Sequence, residues 1–290
     1  INAPQLRYAP SLSDDLYYPT WSMILNHCGR GLNPFMLKND WCVDNGILTG
    51  GDYLKCWMAS MIQQPFEPLP YLFIYGETQA TGKSTFHEAL SLLMRRGYQK
   101  ADKALSSKEF NGELEGAVLC VVEETNLQYN KVAYDRIKEW VTARELLIRK
   151  LYMTPYHVAN MTHWIQCANP RSALPIFPGD TRITMIHVTE PPAKPIPKKE
   201  LFESLIKEAP DFLAELLRLD LPDAVDRLRI PVIETDDKTD AITANKTALE
   251  MFITERCFDA PGYTIKMSEF FDEFHKFMNP SERLNWQTKQ

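Results

Sequence analysis

The apolar run Tyr71-Leu72-Phe73-Ile74-Tyr75 is followed by Gly76-Glu77-Thr78-Gln79-Ala80-Thr81-Gly82-Lys83-Ser84-Thr85 and then by a helical pattern. This strand–loop–helix order constrains the chain more than any other feature. Successive backbone N–H groups and the positive end of a following helix cradle phosphate oxygens, while a lysine reaches the β/γ-phosphates and a hydroxyl completes a magnesium shell. The segment therefore predicts a nucleoside triphosphate site. Gly76, Thr81, Gly82, Lys83, Ser84 and Thr85 would form the ATP-binding loop, with Lys83 catalytic and Ser84 on Mg2+. Five residues separate Gly76 from Gly82 where the usual spacing is four, so the loop is expected to bulge by one residue.

A second run, Gly116-Ala117-Val118-Leu119-Cys120-Val121-Val122-Glu123-Glu124, is continuously apolar until it ends in two carboxylates. That pattern fits a parallel strand buried on both faces with acids at its C-terminal edge, where open α/β sheets bind ligands. With Mg-ATP in the loop, Glu123 is assigned to the metal and Glu124 to polarising the attacking water. The plainer alternative is an acidic cap on a buried strand.

From 71 to 189 strand and helix patterns alternate: strands at 71–75, 117–122, 146–152, 162–168 and 182–188, helices at 83–96 and 131–143. The expectation is an α/β fold, a P-loop NTPase sheet, mainly parallel and AAA+-like, with helices on both faces. Residues 1–66 read as a helical lead-in, 67–195 as the ATPase core, and 196–290 as a C-terminal helical or winged-helix region beyond the stiff segment Pro191–Pro197. Helices are expected at Lys198–Lys207 and Asp211–Arg218, then a polar connector at 234–240, then helices at 245–255 and 268–277.

The strand His163–Ala168 ends in Asn169, an amide able to bond both an attacking water and a phosphate oxygen; alone, Asn169-Pro170 is a turn signal. Arg182, in Gly179-Asp180-Thr181-Arg182, is a candidate arginine finger for a neighbouring subunit's ATP, with a surface ion pair to Asp180 as the alternative. Between these motifs the blocks Lys138–Arg144 and Ile148–His157 suggest a hairpin carrying basic and aromatic groups. It fits a grip on single-stranded nucleic acid and a solvated basic surface equally well.

A formal charge of -6 argues against coating nucleic acid by bulk electrostatics, so any such contact must be local. The six scattered cysteines read as buried reduced thiols, which places the chain in a cytoplasm. No apolar run of membrane-spanning length is present, and the start at Ile1 suggests a piece of a longer protein.

The order of these motifs resembles superfamily 3 helicases, particularly the helicase portion of phage, plasmid and poxvirus-type primase-helicases, over about residues 50–190. The resemblance implies a homo-hexameric ring that hydrolyses ATP at subunit interfaces and draws one strand of single-stranded or forked DNA through its channel. By the same resemblance Lys150, Tyr156 and His157 are the DNA-binding candidates, and a missing N-terminal part would carry primase or polymerase activity. The rival functions are a small-molecule kinase, for which an arginine-rich lid is lacking, and a non-unwinding replication-initiator or scaffold module.

Overall fold

The computed structural model describes residues 6–106, 110–123, 125–127, 130–191, 196–278 and 283. Strands β1 (Tyr71–Tyr75), β2 (Tyr98–Lys100), β3 (Leu119–Glu123), β6 (His163–Ala168) and β7 (Ile183–His187) form a five-stranded sheet in the order β2-β3-β6-β1-β7. Every pairing in it is parallel, with Phe73 opposite Gln166 on one side and Met185 on the other. Strands β4 (Glu145–Ile148) and β5 (Tyr156–Ala159) form a separate antiparallel hairpin.

Side chains alternate across a strand, so a strand with no polar face must be covered twice. Leu72 and Ile74 of β1, Leu119 and Val121 of β3 and Ile165 of β6 face one layer. That layer is built by α1 (Pro19–Gly29), α4 (Gly50–Gln63), α5 (Lys83–Leu93) and α8 (Lys198–Arg218), with the short α2 (Asn33–Met36) and α3 (Asp40–Asp44) beside them. Tyr71, Phe73 and Tyr75, with Cys120, Val122 and Trp164, face the other. There α6 (Asp102–Ser106), α7 (Lys131–Trp140), the hairpin and α9 (Asp236–Ala244) cover them. This is the α/β NTPase-like architecture that the motif order implies.

The first core layer runs through both sequence boundaries, at 66/67 and at 195/196. Trp21 of the lead-in stacks on Phe212 of α8 at 4.4 Å between ring centroids, and both pack with strand residues. The buried Glu208 of α8 accepts the Thr20 N–H at 2.8 Å and its hydroxyl at 2.6 Å, capping α1 from another element because Tyr18 offers no side-chain cap.

Several segments differ from their sequence reading, among them the strand expected at 146–152, which ends at Ile148, and the block Lys138–Arg144, whose first residues close α7 and form no hairpin strand. Lys198–Arg218 is one helix and not two, since Leu205, Ala209, Phe212, Leu213 and Leu216 pack continuously and outweigh the cost of Pro210 inside it. The polar stretch 234–240 is not a connector: it enters α9, capped by the Thr235 side chain accepting the Lys238 N–H. Lys238 is fully buried, donating to Glu234 Oε1 at 2.8 Å and to the Asp180 carbonyl at 3.2 Å, with the Asp180 carboxylate 3.7 Å away. Cys257 is exposed, unlike the other five cysteines. The unpredicted β2 is only three residues long, too short for periodicity to register.

Among the described residues from 196 to 278 every regular element is a helix, ending with α10 (Ala248–Arg256) and α11 (Met267–Phe277), which share a small core of Phe252, Phe274 and Met278. No helix among the described residues is long and apolar enough to cross a membrane.

Asp180 and Lys238 are buried together, so removing one leaves the other's charge incompletely satisfied. Lys238→Ala is expected to lower stability by about 3 kcal/mol, read from urea unfolding midpoints, and an unchanged midpoint would show that the pair bears no structural weight.

Candidate active site

The loop after β1 is shaped by close backbone contact. A Cβ placed on Gly76 would lie 2.4 Å from the Val188 carbonyl oxygen, so no other residue fits there without movement. Within the loop Ala80 adopts φ 61° and Gly82 φ 86°, both left-handed. Gly82 is also the N-cap of α5, which turns the first helical N–H groups toward the loop.

Lys83, the first residue of α5, folds its buried side chain back into the loop. Its ammonium donates to the Gly76 carbonyl at 3.0 Å, the Thr78 carbonyl at 3.1 Å and Thr81 Oγ1 at 3.1 Å. Burial pushes its pKa below the ordinary lysine value. The concavity is thus already organised around one positive charge. Lys83 and Ser84 then line a cavity of about 290 Å³ together with Glu123, Asn126, Cys167 and Asn169. Four residues assigned separately from the sequence, Lys83, Ser84, Glu123 and Asn169, meet there because β1, β3 and β6 are neighbours ending at the same sheet edge.

Glu123 points toward α5 because it follows the alternation of Leu119 and Val121, which pack on that side. Its Oε1 lies 3.0 Å from His87 Nε2, and Lys100 is ion-paired with Oε2. His87 is four residues after Lys83 on α5, and its Nδ1 is 3.2 Å from the Tyr98 hydroxyl. A neutral imidazole satisfies both contacts, with Nε2–H donating and Nδ1 accepting. Burial pushes the His87 pKa down, against the pull of Glu123. Burial alone would raise the Glu123 pKa, but the hydrogen bond from Lys100, the neighbouring His87 and the Lys100 charge hold it below the ordinary carboxylate range. The strand end itself is fixed by Asp102, whose Oδ1 accepts the Glu123 N–H at 3.0 Å and the Thr125 hydroxyl at 2.6 Å. Sequence reasoning missed His87, Lys100 and Asp102, although the four-residue spacing of Lys83 and His87 on one helix face was a readable signal. Glu124 lies outside the described residues.

No group of three or more His, Cys, Asp and Glu side chains able to hold a metal ion occurs among the described residues. Magnesium keeps waters and takes one or two carboxylates plus phosphate oxygens, so Ser84 and Glu123 are donors of the required kind. A second cavity, of about 630 Å³, opens on the other side of the loop, between it, α1 and the start of α8. Ile24, His27, Ala80, Gly82, Ile196 and Leu201 line it, and His27 Nε2 reaches the Thr81 carbonyl at 2.7 Å. The lead-in helix thereby forms part of the loop's wall.

Arg182 is not in this cavity. It precedes β7 beside Tyr71, whose N–H donates to the Arg182 carbonyl at 2.8 Å, at the opposite end of the sheet from the loop. The alternative of a surface ion pair with Asp180 is not what is seen. Asp180 is buried, and its Oδ1 accepts the backbone N–H groups of Arg182 at 3.1 Å and Ile183 at 2.9 Å. The Arg182 Nε is buried and has no hydrogen-bond partner among the described residues. Burial, then the proximity of Arg227, lowers the Arg182 pKa.

The hairpin residues are also apart from the cavity. Lys150 is ion-paired with Glu115 and lies 6.0 Å from the Tyr156 ring centroid, while His157 is 3.7 Å from Glu145 across the hairpin. The turn between the strands instead exposes Leu151, Tyr152 and Met153; Tyr152 is 96% exposed with φ 59°. Asn111 holds the turn-proximal end of β4, accepting the Arg149 N–H at 2.8 Å and donating to the Leu147 carbonyl at 3.0 Å.

A family model described as a family of unknown function, DUF5906, matches residues 74–182. No curated protein matches the chain. Solved structures of the NrS-1 C-terminal region share the fold. The apo structure of its region 305–718 aligns with a TM-score of 0.64 at 15% identity, covering 98% of this chain and 70% of that one. An A-form apo structure gives 0.63 at 17% identity over 86% of this chain and 55% of that one. An A-form structure of region 305–718 gives 0.61 at 15% identity over 93% and 64%. The chain therefore spans between 55% and 70% of these relatives, and at such identities the likeness is one of fold.

Since a Cβ on Gly76 meets the Val188 carbonyl at 2.4 Å, Gly76→Ala forces the loop or the end of β7 to move. A stability loss of about 1–3 kcal/mol is expected in chemical unfolding, and an unchanged midpoint would show that the loop relaxes freely.

Proposed function

We propose that this chain is the ATP-hydrolysing motor of a replication protein, acting on single-stranded or forked DNA as a ring of identical subunits. The observation that carries the reading is the single cavity in which Lys83 and Ser84 of a glycine loop meet Glu123 and Asn169 at the C-terminal edge of a parallel sheet. Lys83 would hold the β/γ-phosphates, Ser84 and Glu123 would hold magnesium, and Asn169 would orient water and phosphate. Magnesium, when bound, would neutralise charge on the transferring phosphoryl group. The largely apolar cavity beyond the loop is of a size and character to take the nucleobase. The likeness in fold to NrS-1, a phage primase-helicase, supports a replication role.

Arg182 fits a trans-acting finger: it is remote from its own loop, and its part-buried charge lacks an anion at Nε. The hairpin fits a strand contact through its tip, where an exposed aromatic offers a stacking face to any base. On this geometry Lys150, Tyr156 and His157 are engaged within and beside the hairpin, and Tyr152 is the exposed strand contact, a residue that sequence reasoning did not single out.

ATP turnover with and without single-stranded DNA tests the reading: DNA-stimulated hydrolysis is expected, and a folded protein that binds no ATP sinks it. Lys83→Ala should abolish hydrolysis, and Arg182→Ala should lower it about 10³-fold or more while leaving nucleotide binding nearly intact. Mixing the two variants should restore part of the activity at mixed interfaces, and no recovery at any ratio counts against shared sites.

The hairpin has its own test. Tyr152→Ala should weaken single-strand binding by about 1–3 kcal/mol in fluorescence anisotropy while basal hydrolysis persists. Unchanged affinity would return the tip to a solvated surface.

A further inference from the structure

Glu123 has no free carboxylate oxygen in this structure. Oε1 faces His87 at 3.0 Å and Oε2 is ion-paired with Lys100, so a divalent cation and these two side chains compete for the same atoms. The two partners are not equally able to leave. His87 is 1% exposed and held at both ring nitrogens, by Glu123 and by the Tyr98 hydroxyl at 3.2 Å. Lys100 is the last residue of the three-residue edge strand β2, and its side chain is 62% exposed. Strand alternation puts Tyr98 and Lys100 on the same face, so β2 delivers one group to fix His87 and a second to cover the acid.

The charge balance favours the same order of events. With Lys100 in place the Glu123 charge is neutralised within the ion pair, so the acid draws a bare cation less strongly than a free carboxylate would.

We propose that Lys100 is a positioning residue that guards Glu123: it occupies Oε2 until a nucleotide arrives, and releases that oxygen so that the metal is taken up with the phosphates and not alone. This rests on the Mg-ATP reading above. It adds to the loop, acid and amide a fourth component, on a strand the sequence did not reveal.

Binding of Mn2+, a spectroscopic stand-in for Mg2+, tests it through electron paramagnetic resonance of the free ion, on the whole chain without nucleotide. Lys100→Met is expected to tighten Mn2+ binding about threefold or more, because it removes the competing cation, whereas Lys100→Arg stays close to the wild type. Lys100→Met combined with Glu123→Gln should lose the gain. The Mg2+ concentration for half-maximal ATP turnover should fall in parallel in Lys100→Met. A Lys100→Met protein with wild-type melting behaviour and unchanged or weaker Mn2+ affinity overturns the proposal, and Lys100→Gln repeats the measurement with a side chain that keeps polarity. A fluorescent ATP analogue is titrated into the same samples. Wild type that binds ATP with Mn2+, beside a Lys100→Met variant with no change, defeats only the role of Lys100. Wild type that binds neither defeats the nucleotide site and this inference with it.

Discussion

Burial of β1 on both faces governs the rest of the structure. Five consecutive residues, Tyr71 to Tyr75, are each no more than 2% exposed, so the strand stands only if two layers are supplied to cover it. At roughly 25 cal/mol per Å² of apolar surface, neither layer is dispensable. The chain recruits one from α1 and α4 before the strand and α8 far after it, and the other from α6, α7 and the hairpin between β3 and β6. The lead-in is therefore part of the sheet's core and not a separate appendage. With both faces filled, polar chemistry is left to the strand ends, and the cavity lies at the end where β1, β3 and β6 stop together.

Within that cavity the electrostatics are arranged in pairs. Lys83 is held by three loop oxygens, and Glu123 by His87 and Lys100, so each charge is satisfied before any ligand is present. Buried charges without such partners shift their pKa values or destabilise the fold. The partners on Lys83 are two carbonyls and a hydroxyl, all neutral. A phosphate can therefore replace them without breaking an ion pair, whereas a cation approaching Glu123 must first displace Lys100. The two halves of the cavity thus differ in how readily they open.

What the residues disclosed was what depends on local order. The loop announces itself because its glycines, lysine and hydroxyl lie within ten positions, and β1, β3 and β6 announce themselves through unbroken apolar runs. The features that escaped depend on distant partners. Lys100 reads as a surface lysine until β3 brings Glu123 beside it, 23 residues later. Lys238 sits in a segment of nearly uniform polarity and is buried only because Asp180, 58 residues earlier, and Glu234 accept its protons. Pro210 breaks a helix in any local reading, yet α8 continues across it because Ala209 and Phe212 are already committed to the core. The hairpin shows the same limit: its existence was legible, but which residues reach its tip depended on where β4 ends, at Ile148.

The length of the sheet bears on how the site is completed. Five residues of β7 separate the level of Arg182 from that of Tyr75, where the loop departs, and at about 3.3 Å per residue this is roughly 16 Å of strand. An arginine side chain spans less than half of that, and Arg182 is further held at its base by the Asp180 turn that Lys238 and Tyr134 stabilise. Within one chain it cannot reach the phosphate loop without dismantling the pairing of β1 and β7. Burial, and then the neighbouring Arg227, lower the Arg182 pKa, while Asp180 pulls it the other way. In the proposed reading, the phosphates of a nucleotide held by a second copy's loop would be the anion received by Arg182 Nε, which has no hydrogen-bond partner among the described residues.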